Sequence, residues 1–151
     1  MANRNDVSEI IAPVAISNAF SFKADITART LNGSGALLFE LAVYQGRNRV
    51  GYEPIIAGED KSEQTFLRLI HVNDREGAAI VEKATVKFRF DPETPTTLLW
   101  TRHTNDEMEV TILGTSILRR SDHGFRDAFD GAIIRNRLGD IAVWRVEISG
   151  T

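Results

Sequence analysis

The chain of 151 residues has no cysteine, only four prolines and no apolar run long enough to span a membrane. Without cysteine there is no disulfide framework, no thiol nucleophile and no thiolate zinc site. The apolar stretch at residues 10–16 is interrupted by Pro13 and is far shorter than the roughly 20 residues of a membrane span. We therefore predict synthesis in the cytoplasm, with no signal peptide, transmembrane segment or membrane partner.

The sequence also lacks a strong excess of either charge. Its 18 basic and 21 acidic residues give a net charge of −3, and the pI is about 5.6. A nucleic-acid binder would normally be strongly basic, so nucleic acid is not among the predicted partners. Hydrophobic residues make up 42% of the chain, too many for a disordered one. These values predict one soluble domain over residues 1–151, with residues 1–17 as a candidate N-terminal arm.

Ready-made catalytic motifs are missing as well. The chain contains no glycine-rich phosphate loop, H-E-x-x-H, G-x-S-x-G or EF-hand sequence. Its three histidines, His71, His103 and His123, are far apart in sequence. Whether the protein is an enzyme stays open, and the absences favour a non-catalytic role.

What the sequence does contain is period-2 alternation, which is typical of strands with one buried face. It is clearest from Phe20 to Ala28 and returns around Val86 and Met108. The pattern predicts an all-β fold: an antiparallel β-sandwich or jelly roll, or else a closed barrel, with one or two short helical segments. The predicted core consists of Phe20, Phe22, Ile26, Leu38, Leu41, Val43, Val86, Phe88, Leu99, Val110, Ile112, Val143 and Val146.

Turn residues suggest how the strands connect. The Asn-Gly-Ser-Gly sequence at 32–35 predicts a hairpin between strands 20–29 and 36–44, and Gly139-Asp140 predicts a second strand pair near the C-terminus. Helical stretches are expected within 59–72, which would also serve as a strand, and within 121–130. Arg135 and Arg137 alternate with Asn136, so we expect them to share one exposed face.

Two polar loops supply candidate ligand-binding residues. One lies between Tyr44 and Tyr52, whose rings could stack on a sugar; the other is the Thr-Arg-His-Thr-Asn-Asp-Glu run at 101–107. In the second loop His103 could serve as a general base oriented by a neighbouring carboxylate, although Asn-Asp sequences are also ordinary hairpin loops. The candidate ligand-binding residues are Tyr44, Arg47, Arg49, Tyr52, Arg102, His103 and Asp106.

A third polar stretch, residues 119–130, offers candidate metal ligands. If it is helical, its histidine and aspartates share a face and could supply ligands to Ca²⁺, the one cofactor the sequence suggests. The alternative is a surface turn capped by Asp122, with Phe125 and Phe129 packed inward. The candidate metal ligands are Asp122, His123, Asp127 and Asp130.

Three function classes remain after these exclusions. The first is a non-catalytic subunit of a homo-oligomeric assembly such as a virion, suggested by the small size and by an excess of 14 arginines over 4 lysines. The second is a lectin-like, carbohydrate-binding module with a glycan ligand, for which calcium is an optional cofactor. The third is a small-barrel enzyme that uses His103 or His123 with neighbouring carboxylates.

Overall fold

The computed structural model describes residues 8–30, 35–59, 61, 63–75 and 77–150, which form eleven β-strands and no helix. The strands are β1 (Ser8–Ala12), β2 (Phe20–Arg29), β3 (Ala36–Gln45), β4 (Val50–Glu59), β5 (Gln64–Asn73), β6 (Gly77–Val86), β7 (Thr96–Arg102), β8 (Glu107–Ile112), β9 (Thr115–Ser121), β10 (Gly131–Leu138) and β11 (Asp140–Gly150). Within these ranges no helix is long and apolar enough to cross a membrane.

The strands build two antiparallel sheets. The six-stranded sheet has the order β1-β10-β3-β4-β5-β6, and the five-stranded sheet has the order β11-β2-β7-β8-β9. One shared apolar core lies between their facing surfaces. The prediction of an antiparallel β-sandwich is confirmed, and the two separate sheets rule out the closed-barrel alternative for the described residues.

Buried side chains come from alternate residues of strands in both sheets. Phe20, Phe22 and Ile26 of β2 face Phe39 and Leu41 of β3 across the core. Seven of the predicted core residues are buried: Phe20, Phe22, Ile26, Leu41, Val43, Val110 and Ile112. Val86, Phe88 and Val143 pack against the core while partly exposed.

Three predicted core residues lie elsewhere. Leu38 lies on the outer face of the six-stranded sheet, because the inward residues of β3 are Leu37, Phe39 and Leu41. Leu98 and Trp100 occupy the core in place of Leu99, since three consecutive apolar residues do not reveal which of them faces inward. Val146 is 40% exposed because β11 is an edge strand.

Both predicted strand pairs near turns are wrong. β2 pairs with β11 and β7, whereas β3 pairs with β10 and β4, so these two consecutive strands belong to opposite sheets. β10 and β11 likewise belong to different sheets. β2 and β3 therefore lie in different layers, and the chain crosses from one layer to the other at Gly139. Of the predicted turn at 32–35, residues 32–34 lie outside the described residues.

The helical segments are also not observed. Residues 64–73 form strand β5, and residues 122–130 follow an irregular path with a single bridge between Ile16 and Phe129. That path is set by backbone and side-chain hydrogen bonds to distant elements rather than by helical bonds. Within the candidate arm, β1 pairs antiparallel with β10 of the same chain, and residues 1–7 lie outside the described residues.

Candidate functional site

The outer face of the six-stranded sheet carries a cluster of charged residues, which we call the charged face: Glu9, Glu40, Glu53, Arg68, Arg135 and Arg137. Strand alternation places them there, because the residues between them on β3, β4 and β5 fill the core. The register sets Arg135 directly between Glu40 on β3 and Glu9 on β1. A row of charges therefore crosses the sheet at right angles to its strands.

Ion pairs join most of these residues into one network. Glu40 Oε1 accepts hydrogen bonds from Arg135 Nη1 at 2.6 Å and from Arg137 Nε at 2.9 Å. Arg135 Nε also donates to Glu9 Oε1 at 2.7 Å, and Arg135 Nη1 lies 3.6 Å from Glu53 Oε1. Such charge-assisted bonds hold the guanidinium planes in fixed orientations.

Burial distinguishes the members of this network. Glu40 is 2% exposed, so its charge depends on the two arginines that neutralise it. Burial raises the pKa of Glu53, the nearby Glu40 raises it further, and Arg135 opposes both effects. Hydrogen bonding from Arg135 lowers the pKa of Glu9. The carboxyl groups of Glu53 and Glu9 therefore differ in acidity although they lie on one surface.

The charged face borders an open depression of about 360 Å³. Glu40, Glu53, Arg135, Arg137 and Arg68 supply its polar surface. Aliphatic side chains complete the lining: Leu38, Ile55, Ile70, Val72 and Ala78. Because every lining residue belongs to a strand, the polar groups are positioned by the sheet rather than by a loop.

Three of the predicted ligand-binding residues lie at the end of β3 and in the turn that follows. Arg49 extends the ionic network, since its Nη1 lies 3.3 Å from Glu9 Oε2. Its guanidinium carbon also lies 6.0 Å from the centroid of the half-buried Tyr44 ring. Arg47 is exposed in the 46–49 turn. Tyr44 and Arg49 thus approach the charged face from one side.

The remaining predicted residues gather at one end of the sandwich. Tyr52 is fully buried, and Arg102 is 1% exposed with its guanidinium carbon 5.1 Å from the Tyr52 ring centroid. Arg102 donates to the carbonyl oxygens of Phe125 and Asp122, both at 2.8 Å, and Arg102 Nη2 lies 3.2 Å from Asp106 Oδ1. This arrangement ties the loop after β7 to the segment after β9.

Tyr52 connects the same end to Asp122. The Tyr52 hydroxyl donates to Asp122 Oδ1 at 2.5 Å, and burial followed by this bond raises the pKa of Tyr52. His71 Nδ1 lies 3.6 Å from the same carboxylate oxygen. Two sequence clusters predicted separately, 101–107 and 119–130, therefore meet around Arg102 and Tyr52.

The two histidines considered for acid–base chemistry are on the surface. His123 Nδ1 lies 2.6 Å from Asp106 Oδ2, and this hydrogen bond lowers the pKa of Asp106. However, the His123 side chain is 68% exposed, and His103 is exposed as well. Neither imidazole lines a deep apolar pocket, which is the setting expected for a general base in a small barrel.

The predicted metal ligands do not converge. Asp122 faces Tyr52, whereas His123 faces Asp106. Asp130 Oδ2 accepts the Gly46 N–H at 2.7 Å, and Asp127 contributes its backbone carbonyl to Asn18 and Gln45. The described residues include no group of three or more histidines and carboxylates that could hold a metal ion. Without a helix at 122–130, the shared face expected for these ligands does not form.

A second depression of about 340 Å³ lies at the edge between the sheets, where Leu37, Phe90 and Gly58 meet. Charged residues such as Arg29 and Asp91 line it together with neighbouring loop residues. These charged side chains are exposed, so burial does not hold them in place as it holds Glu40. We therefore take the depression on the charged face as the candidate site.

Sequence reasoning missed most of the charged face. Arg135 and Arg137 do share one face, as predicted, but the Arg135 side chain is only 12% exposed because Glu9 and Glu40 cover it. One signal was available: Glu40 is a lone charge in the apolar run of 36–44, which calls for a buried partner. The identity of that partner depends on strand order.

No protein-family model and no curated protein matches this chain. Among solved structures, its fold is similar to that of the carbohydrate-binding module CBM66 from Bacillus subtilis, with a TM-score of 0.66 and 16% identity over 95% of this chain and 82% of that one. Lactose- and MES-liganded congerin II matches with a TM-score of 0.63 and 13% identity, over 95% of this chain and 100% of that one. The Emp47p carbohydrate recognition domain matches with a TM-score of 0.69 and 11% identity, over 99% of this chain and 81% of that one. At these identities the likeness shows a shared β-sandwich fold.

Proposed function

We propose that this protein is a carbohydrate-binding β-sandwich that takes its ligand in the depression on the charged face. The observation that carries the proposal is the set of guanidinium and carboxylate groups held rigidly by ion pairs beside an aliphatic surface. Neighbouring sugar hydroxyls both donate and accept hydrogen bonds, so they match fixed pairs of such groups. Polar groups oriented before binding also lose little entropy when the ligand arrives.

The size of the site and the fold comparisons support the same function. A volume of about 360 Å³ lies at the lower end of the range for small-ligand sites, which favours one or two sugar rings. Aliphatic residues such as Ile55 and Val72 can pack against sugar C–H groups. The solved structures named above include a carbohydrate-binding module and a lactose-liganded protein, which favours this function over a structural role in a particle.

A glycan array followed by titration calorimetry tests the proposal. We expect wild-type protein to bind at least one glycan and Arg137→Gln to bind it at least tenfold more weakly. Arg119→Gln is the matched control, because Arg119 also pairs with a glutamate, Glu109, but on the five-stranded sheet. Unchanged binding by Arg137→Gln, or no glycan bound at all, would overturn the proposal. Release of reducing ends during titration would instead indicate a hydrolase.

We also infer that the protein self-associates through the edge formed by β1 and β11. Self-association is what an assembly subunit requires. β6 and β9 contact each other, so β1 and β11 end the two sheets on the opposite side. Of seven well-exposed large apolar residues in the described ranges, five lie on or beside these two strands: Ile10, Ile11, Val14, Trp144 and Val146. Unpaired apolar edges are templates for another strand.

The charges of β11 favour a second copy as the occupant. Arg145 and Glu147 flank Val146 and pair with each other within one chain. An antiparallel contact centred on Val146 would place Arg145 opposite Glu147 of the partner subunit. A bulge at Trp144 interrupts the ladder, so regular pairing would begin at Arg145.

Charge variants test this contact by light scattering over a hundredfold concentration range. We expect wild-type protein to dimerise, and Arg145→Glu and Glu147→Arg each to be monomeric because like charges then meet across the interface. An equal mixture of the two variants should dimerise, since opposite charges meet again. A mixture that stays at 16.8 kDa, or a monomeric wild-type protein, would contradict the inference.

A further inference from the structure

Two positive charges beside the candidate site have no counter-charge among the residues that the structure describes. Arg68 on β5 lines the depression with its side chain exposed. Its guanidinium makes no ion pair or hydrogen bond with any described residue, and neither does the exposed ammonium group of Lys83 on β6. By contrast, Arg135 and Arg137 are neutralised by the glutamates of the charged face.

The register makes these two cations direct neighbours. Arg68 and Lys83 are opposite each other in the β5–β6 ladder, so their side chains leave the same face of the sheet. Like charges directly opposite on antiparallel strands destabilise a sheet. On the other side of Arg68 the register places Ile55, which is apolar and cannot compensate for the charge.

The local balance differs in sign from that of the whole chain. Three arginines and two glutamates line the depression, a net charge of +1. Beside the lining, Lys83 adds a positive charge and Glu9 a negative one, so the local sum stays at +1. The chain as a whole carries −3. A positive patch in an acidic protein attracts anionic ligands selectively, since the rest of the surface repels them.

We propose that the charged face selects acidic glycans, with Arg68 and Lys83 forming the subsite for the sugar's carboxylate or sulfate. This inference rests on the proposed carbohydrate-binding function and specifies its substrate class. The anion supplies the missing counter-charge between the two cations. The aliphatic wall and the ion-paired arginines contact the neutral part of the sugar.

Matched pairs of glycans measured by calorimetry test the selectivity. Trigalacturonic acid is compared with its fully methyl-esterified form to test a carboxylate, and lactose monosulfate is compared with neutral lactose to test a sulfate. We expect at least one acidic member to bind tenfold or more tightly than its neutral partner, with affinity falling as sodium chloride is raised. The pair that shows the difference identifies the anion.

Variants at the two cations separate binding from stability. Arg68→Gln and Lys83→Gln should each remove most of the acidic preference, while Lys87→Gln, which changes an exposed lysine beyond β6, should retain it. Arg68→Glu should abolish binding of the acidic glycan yet raise the melting temperature, because the introduced carboxylate would then face the ammonium group of Lys83 across the ladder.

The outcomes distinguish the two proposals. Equal binding of acidic and neutral partners would overturn the acidic selectivity and leave the carbohydrate-binding function standing. An acidic preference that survives in both Arg68→Gln and Lys83→Gln would also overturn it, because the anion would then bind elsewhere. Binding of no glycan in either pair or on the array would overturn both proposals.

Discussion

The pKa of Glu53 and the pKa of Glu109 are shifted in opposite directions, although both residues lie on strands next to an arginine. Burial is the main cause that raises the pKa of Glu53, whereas hydrogen bonds from Arg119 and Ser116 lower that of Glu109. A raised pKa means that ionisation of the carboxyl opposes folding, and a lowered pKa means that ionisation favours it. The two residues therefore give opposite predictions for stability against pH.

We expect Glu53→Gln to melt at a higher temperature than wild-type protein at pH 7. The folded-state pKa of Glu53 lies above its ordinary value of 4.5, so ionisation costs stability as pH rises through that folded-state pKa. Below about pH 4 the carboxyl is protonated in both states, and the difference should vanish. Thermal melts followed by circular dichroism across this pH range measure the effect.

Glu109→Gln is the control of opposite sign. Its ionised form is held by Arg119, so the variant should melt lower than wild-type protein at pH 7. That difference should disappear as pH falls through the lowered pKa of Glu109. If both variants shifted the melting temperature in the same direction, the electrostatic explanation would be wrong and packing would account for the change.

At the scale of elements, β4 is held close to β3 where Gly51 pairs with Tyr44. A Cβ atom at Gly51 would lie 2.0 Å from the backbone oxygen of Val43, which cannot move without separating the strands. We expect Gly51→Ala to lose about 1–3 kcal/mol of unfolding free energy, a typical cost of overpacking. Urea denaturation followed by tryptophan fluorescence measures it.

Gly58→Ala on the same strand is the matched comparison. The added Cβ would meet the side chain of Leu37 at 3.2 Å rather than backbone, and a side chain can rotate away. Its loss of stability should therefore be the smaller of the two. Equal losses would contradict the explanation from strand spacing, because the effect of the substitution on the unfolded chain is stabilising and similar at both positions.

Alternation predicted which faces of β2 and β8 are buried, because a strand's own residues determine its period. Strand partners were not predictable in the same way. The turn residues near Gly33 and Gly139 are compatible both with a hairpin and with a crossing to the other sheet. Residues 122–130 appear helical in sequence because Phe125 and Phe129 are four apart, yet both rings pack around Tyr52 without a helix.

At the scale of the whole molecule, the charged face combines residues separated by up to 128 positions, from Glu9 to Arg137. Such a site depends on sheet order, and no local motif marks it. The end cluster around Arg102 shows the converse: sequence clusters with the composition of a ligand site meet there, but they fasten loops together. Polar composition alone therefore did not distinguish a binding surface from a structural contact.

The sheet order also bears on synthesis at the ribosome. β10 pairs with both β1 and β3, and it is the one sheet partner of β1. β11 pairs with β2. β10 and β11 are translated more than 80 residues after the strands with which they pair. Pairings so distant in sequence form slowly, and unpaired edges are prone to wrong contacts. The nascent N-terminal strands must therefore remain unpaired on those edges until translation is nearly complete, when molecular chaperones would matter most.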